Sequence, residues 1–231
     1  MSLLFKWILA HLIGDFLLQT RGLIDEKERL KWRSPGLYVH VMIHFLLILI
    51  LTWDPGLWYA AVIIAFFHWG IDSVKLHFQT VKTKTLWFFT DQLLHLLVIF
   101  LVWRWIYGYE ISLLSAWQPE YWLIITAAVF LTIPASSIIQ HLMSRWSDSI
   151  EDAQSESLKD AGKYIGILER LFIFGSVLSG FWQTVGFLIA AKSVFRFGDL
   201  TKARNRKLTE YILIGTLLSF GIAMATAILV A

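Results

Sequence analysis

Long apolar runs alternate with short polar segments from one end of the chain to the other. Runs of this length predict helices that cross a bilayer. Eight are legible, at 3–19, 37–53, 57–74, 86–107, 120–142, 164–180, 182–197 and 208–229. Those at 57–74 and 182–197 are short, and the block 164–197, broken only by "GFW", also reads as one hairpin or a re-entrant pair. Pro134, with Ser136 and Ser137 behind it, marks a helix kink in the fifth run rather than a nucleophile. The expected fold is all-α, a polytopic transmembrane bundle of about eight spans. Its parts are a four-helix half at 1–118, a fifth span at 119–143, a polar linker at 144–163 and C-terminal helices at 164–231. The linker, "SRWSDSIEDAQSESLKDAGK", is rich in Ser and acid and suits a solvated cytoplasmic segment.

Composition agrees, since 57% hydrophobic and 16% charged residues make the chain more apolar than a soluble domain. The absence of cysteine excludes disulfides, thiolate metal sites and Cys nucleophiles. The N-terminus lacks the basic region and cleavage site of a signal peptide, so the first run reads as a retained span. A net charge of +3 would suggest nucleic acid in a soluble protein, but here the basic residues lie in loops and set topology. Arg21, Lys27, Arg29, Lys31 and Arg33 follow the first span, and Lys75, Lys82 and Lys84 the third. Arg145, Lys159 and Lys163 follow the fifth, and Lys202, Arg204, Arg206 and Lys207 the seventh. The alternate loops carry Asp54, Glu110 and Glu120. Positive residues stay in the cytoplasm, which places both termini outside and leaves no role for a nucleic-acid partner.

Inside the first four runs the polar residues come in pairs. His11 and Asp15, His40 and His44, His68 and Asp72, and Asp91 and His95 are each spaced i, i+4. Each pair therefore projects from one helix face. Under the charge-derived topology all eight residues fall in the cytoplasmic leaflet, roughly 5–13 Å below that end of each helix. The His-x3-Asp pairs of spans 1 and 3 are 57 residues apart, and the pairs of spans 2 and 4 are 51 apart. Such spacing suggests a duplicated hairpin with a site between its copies.

Five imidazoles and three carboxylates form an N/O donor set suited to one or two divalent ions, zinc first and then manganese or iron. The competing reading is a set of ion pairs that glues helices together. Ionisable residues at membrane depth are costly, and four pairs at one depth favour the metal. A spare carboxylate, Asp15 or Asp72, would act as general base toward a metal-activated water. The expected protein is a metal-dependent hydrolase acting on a lipid-like or amphiphilic substrate that enters from the cytoplasmic leaflet. A proton- or metal-coupled transporter and a metal-stabilised scaffold or sensor are the rivals. A homo-oligomer is compatible with each.

In the second half, Glu169 and Arg170 lie in an apolar frame, Lys192 and Arg196 are spaced i, i+4, and Glu210 opens the last run. Glu169, Arg170 and Glu210 are expected in structural ion pairs, because buried charges need partners. Lys192 and Arg196 are also candidates to bind an anionic head group. Lys75 fits that role or snorkels to the interface.

The stretch "LAHLIGDFLLQT", with "HVMIH" and "DQLLH" downstream, resembles the bacterial membrane family designated domain of unknown function 3307. The resemblance covers about the first half of the chain, and the tail "ERLFI…GFLIAAKSVFRFGDL…EYILIGTLLSF" looks like the companion region of longer members. It implies a multi-pass protein of the bacterial inner membrane and supplies no activity. In motif style alone, the pairs are similar to membrane-bound metal-dependent hydrolases with ligands on transmembrane helices.

Overall fold

The computed structural model describes residues 1–108, 121–147, 161–197 and 206–231. Glu110 and Glu120, most of the linker expected at 144–163, and the loop residues Lys202 and Arg204 lie outside the described residues. Among the described residues there is no strand. The chain divides into two compact units, Met1–Thr126 and Ala127–Ala231.

In the first unit, α1 (Ser2–Leu12) runs into a π-helical turn over Ile13–Leu17, and α2 (Arg21–Leu30) leaves at 85°. α3 (Pro35–Thr52), α4 (Trp58–Phe78) and α5 (Lys84–Tyr107) follow, and α6 (Tyr121–Phe130) begins at its end. α1 packs on α3, α3 on α4, α4 on α5 and α5 back on α1, which closes a four-helix ring. Pro35 opens α3 where its missing N–H has no helical partner to lose.

The ring is apolar on the outside and partly polar within. Phe66, Leu93, Leu101 and Ile50 are exposed, while His68, Asp72, Asp91 and His95 from the same helices are buried. This inversion suits a lipid solvent, which gives apolar side chains no reason to turn inward. Ala10, Ala60 and Ala61 let the helices approach closely. One end of the ring is filled by Trp7, Ile48, Ile64, Ile99 and Trp103, with the Trp7 indole donating to Thr52 Oγ1 at 2.7 Å. The other end holds the paired polar residues and is bordered by α2.

α2 is charged along most of its length and amphipathic. Glu26 accepts from Ser34 Oγ and the Gly36 N–H, and Glu28 accepts from Lys84 Nζ and Gln79 Nε2. Two anchors on opposite sides thus fasten α2 to the start of α3 and to the α4–α5 turn.

The second unit contains the rest of α6, α7 (Ile133–Ser147), α8 (Ala161–Leu178), α9 (Trp182–Phe197) and α10 (Arg206–Val230). α10 packs against α7 and α8. α6 and α7 meet at 41°, at the kink expected from Pro134. Arg170, expected in an ion pair, instead donates to the carbonyls of Leu131 and Thr132 and to Ser136 and Ser219 Oγ. At the kink the Leu131 carbonyl has no main-chain donor, while that of Thr132 also accepts from the Ser136 N–H at 3.2 Å, and a guanidinium has enough donors to reach both. Glu169 does form an ion pair, with Lys192 Nζ at 2.6 Å.

Among the described residues, four helices are each long and apolar enough to cross a membrane, or up to six spans if each bent pair counts as one. This is fewer than the eight apolar runs. α9, with 16 residues, is short for a span, and α8 carries Lys163, Glu169 and Arg170 within its length.

A candidate metal centre in the first unit

The four i, i+4 pairs come from α1 with its π turn, α3, α4 and α5, and meet at one end of the ring. Helical periodicity brings each pair to one face, and ring closure turns all four faces inward. The five imidazoles are no more than 2% exposed. His44 stacks on His68 with centroids 3.8 Å apart, and His68 stacks on His95 at 4.0 Å.

Asp15 is the hub. Its Oδ1 lies 3.0 Å from His44 Nε2, 3.2 Å from His40 Nε2 and 3.6 Å from His68 Nε2, and its Oδ2 lies 3.8 Å from His11 Nε2. Donors that each sit 2.0–2.1 Å from a tetrahedral ion are spaced about 3.4 Å from one another, within this range. The π turn that carries Asp15 widens the helix locally, and such bulges recur at functional sites. Gly14 permits the arrangement, because a Cβ there would overlap the His44 imidazole.

Among the described residues, three groups have donor atoms close enough to share an ion: His11, Asp15, His44 and His68; His40, His68 and Asp72; and Asp15, Asp91 and His95. His11, His44, His68 and His95 line a small cavity of about 10 Å³, with Ile48, Ile64, Val98 and Ile99 as its apolar wall. That is about the space of one water-sized sphere. Both ring nitrogens of His95, Nδ1 of His11 and of His40, and Asp91 Oδ1 are buried without a hydrogen-bond partner. Helix glue would leave such groups paired, because an unpaired buried polar atom costs about 1–3 kcal/mol. The donor set and the unpartnered imidazole at the cavity therefore fit a bound cation.

Three further side chains complete the cluster and were not among the candidates. Gln92 donates to Asp15 Oδ2 at 2.7 Å and to Asp91 Oδ2 at 3.2 Å, and faces His11 Nε2 through its carbonyl at 3.1 Å. Lys27, expected only as a loop charge, is buried and donates to Asp72 Oδ2 at 2.6 Å. Gln19, with its amide turned to suit its neighbours, accepts from Lys27 Nζ at 2.6 Å and donates to the Asp15 carbonyl at 3.2 Å. Gln92 follows a candidate directly, and Gln19 extends the His-x3-Asp spacing by one turn, so both left a signal. Lys27 sits in a charged segment and left none.

Two of the candidate substrate contacts, Lys75 and Lys192, are already engaged. Lys75 donates to Asp91 Oδ2 at 2.8 Å with its side chain 24% exposed, and Lys192 is held by Glu169 in the second unit. The side chain of Arg196 lies outside the described residues, and Glu210 lies near the start of α10.

No curated protein and no solved structure matches the chain. The family described as protein of unknown function (DUF3307) matches residues 3–124, which span all eight paired residues together with Gly14, Gln19, Lys27 and Gln92. That match covers more than half of the sequence and nearly coincides with the first compact unit, so the chain belongs to the DUF3307 family.

Proposed function

We propose that the His/Asp cluster binds a catalytic divalent ion, zinc first and manganese or iron next, and that the protein is an intramembrane metal-dependent hydrolase. The observation that carries the reading is the small cavity walled by four imidazoles, one of which has no hydrogen-bond partner. Nitrogen-rich donor sets without sulfur suit these ions. A bound ion would supply Lewis acidity and lower the pKa of a coordinated water toward neutrality. His11, His44, His68 and Asp15 would hold it, with His95 facing the same cavity. Asp72 stands outside the ring around Asp15, 3.8 Å from His40 Nε2, and is left as the proton acceptor. Gln92 orients Asp15 and His11 by bonding both.

The substrate is lipid-like or amphiphilic and reaches the centre from the end bordered by α2, the cytoplasmic end by the distribution of Lys and Arg. The apolar plug of Trp7, Ile48, Ile64, Ile99 and Trp103 weighs against a transport path, since it offers no polar relay across the rest of the ring. The test is hydrolysis by chelator-stripped and metal-reloaded protein in liposomes, against amphiphilic carboxylic ester, amide and phosphate ester probes. Turnover that returns with the metal and is lost in a His11→Ala/His68→Ala variant supports the reading. Metal binding without hydrolysis of any of the three classes would leave a metal-stabilised scaffold.

A further inference from the structure

The cluster has donors for two ions, yet its fixed charges and one buried side chain suit only one. We infer that the Lys27 ammonium stands in the place of a second metal ion, so that the centre is mononuclear with a built-in second positive charge. This rests on the metal-centre reading.

Geometry is the first support. His40, His68 and Asp72 converge as a second ion would require. The Asp72 oxygen nearest His40 is Oδ2, and that same atom accepts from Lys27 Nζ at 2.6 Å. Gln19 accepts from the same ammonium at 2.6 Å. Lys27 cannot easily withdraw, because Glu26 and Glu28 on either side of it are tied to α3 and to the α4–α5 turn. Undocking the cation requires undocking α2.

Charge is the second support. Lys27 offsets Asp72 and Lys75 offsets Asp91, so among the described residues of the cluster Asp15 alone lacks a Lys or Arg partner. One divalent ion then leaves a single positive charge, which one anionic ligand neutralises. A second ion would leave three in apolar surroundings, where uncompensated charge is costly. The ammonium beside the ion would favour a substrate that is anionic, or becomes so as its bond breaks, such as a phosphate ester or a carbonyl collapsing to an oxyanion.

The test is zinc stoichiometry in full-length protein purified in detergent, stripped with chelator, reloaded, desalted and analysed by mass spectrometry. Circular dichroism melts confirm that each variant is folded. The expected values are one equivalent for the wild type, one for Asp72→Asn and two for Lys27→Gln. Two equivalents in the wild type, falling to one in Asp72→Asn, would overturn the inference while leaving the metal centre intact. A folded Lys27→Gln variant that stays at one would overturn it as well. No zinc in the wild type would overturn both the inference and the centre beneath it. Should Lys27→Gln fail to fold, the wild type and Asp72→Asn decide the question by themselves.

Discussion

Gly14→Ala is the smallest change that should disable the centre. A Cβ on Gly14 would overlap Nε2, Cε1 and Cδ2 of the His44 ring. The ring has little room to retreat, being stacked on His68 at 3.8 Å and set edge-on to His40 at 4.6 Å. Overpacking of this kind costs about 1–3 kcal/mol. Any rotation that relieves it also breaks the 3.0 Å contact between His44 Nε2 and Asp15. Displacing a side chain that orients or ligates a metal lowers affinity about 10–100-fold. The assay is zinc competition against a chromophoric chelator in detergent, with a thermal melt on the same samples. Gly70→Ala is the control, because a Cβ there meets nothing within 4 Å, and replacing a helical Gly stabilises by about 0.5–1 kcal/mol. Gly14→Ala protein that binds zinc with wild-type affinity would refute the reasoning, since the His44 position would then not matter.

Three other outcomes follow from the same contacts. His95→Leu removes two buried, unpartnered nitrogens, so metal-free protein should melt no lower than wild type while zinc affinity falls at least about tenfold; a large loss of metal-free stability would instead mark His95 as helix glue. Arg170→Met strands the Leu131 carbonyl at the α6–α7 kink, and calorimetry should show a loss of about 1–3 kcal/mol with zinc content unchanged. Glu28 accepts a hydrogen bond from Lys84 that, with the lysine charge, outweighs partial burial and holds its carboxyl below the ordinary value. The docking of α2 that Glu28 supports is therefore full above about pH 4.3 and is lost as pH falls through the lower folded value. Protection of the α2 amides, taken relative to their intrinsic exchange rates, should fall in acid, and Glu28→Gln should flatten that fall.

Much of the site was legible because helical spacing is written directly in the sequence. His11/Asp15 and His68/Asp72 announce a shared face through their i, i+4 positions, and Lys and Arg in alternate loops put all four pairs at one depth. What spacing does not carry is the path of the backbone between helices. The π turn at Asp15 and the 85° exit of α2 have no periodic signature, so Lys27 reads as one more loop charge until α2 folds back on the ring. Arg170 shows a related limit. A buried cation asks for a partner, and anionic side chains are the visible ones, whereas a main-chain carbonyl released at a kink, as that of Leu131 is, is invisible in a string of letters. The count of spans was less legible because apolar content alone does not tell a crossing helix from one that is 16 residues long or bears three charges.

The central claim, that the imidazole cluster is a metal centre, is tested most directly by X-ray absorption at the zinc edge of the loaded protein. A shell of about four N/O donors near 2.0–2.1 Å, with outer scattering from at least three imidazoles, is the expected result. That signature should vanish in the His11→Ala/His68→Ala variant. A six-coordinate oxygen shell without imidazole scattering, or folded protein that retains no zinc, would contradict the claim and return the four pairs to the role of helix glue.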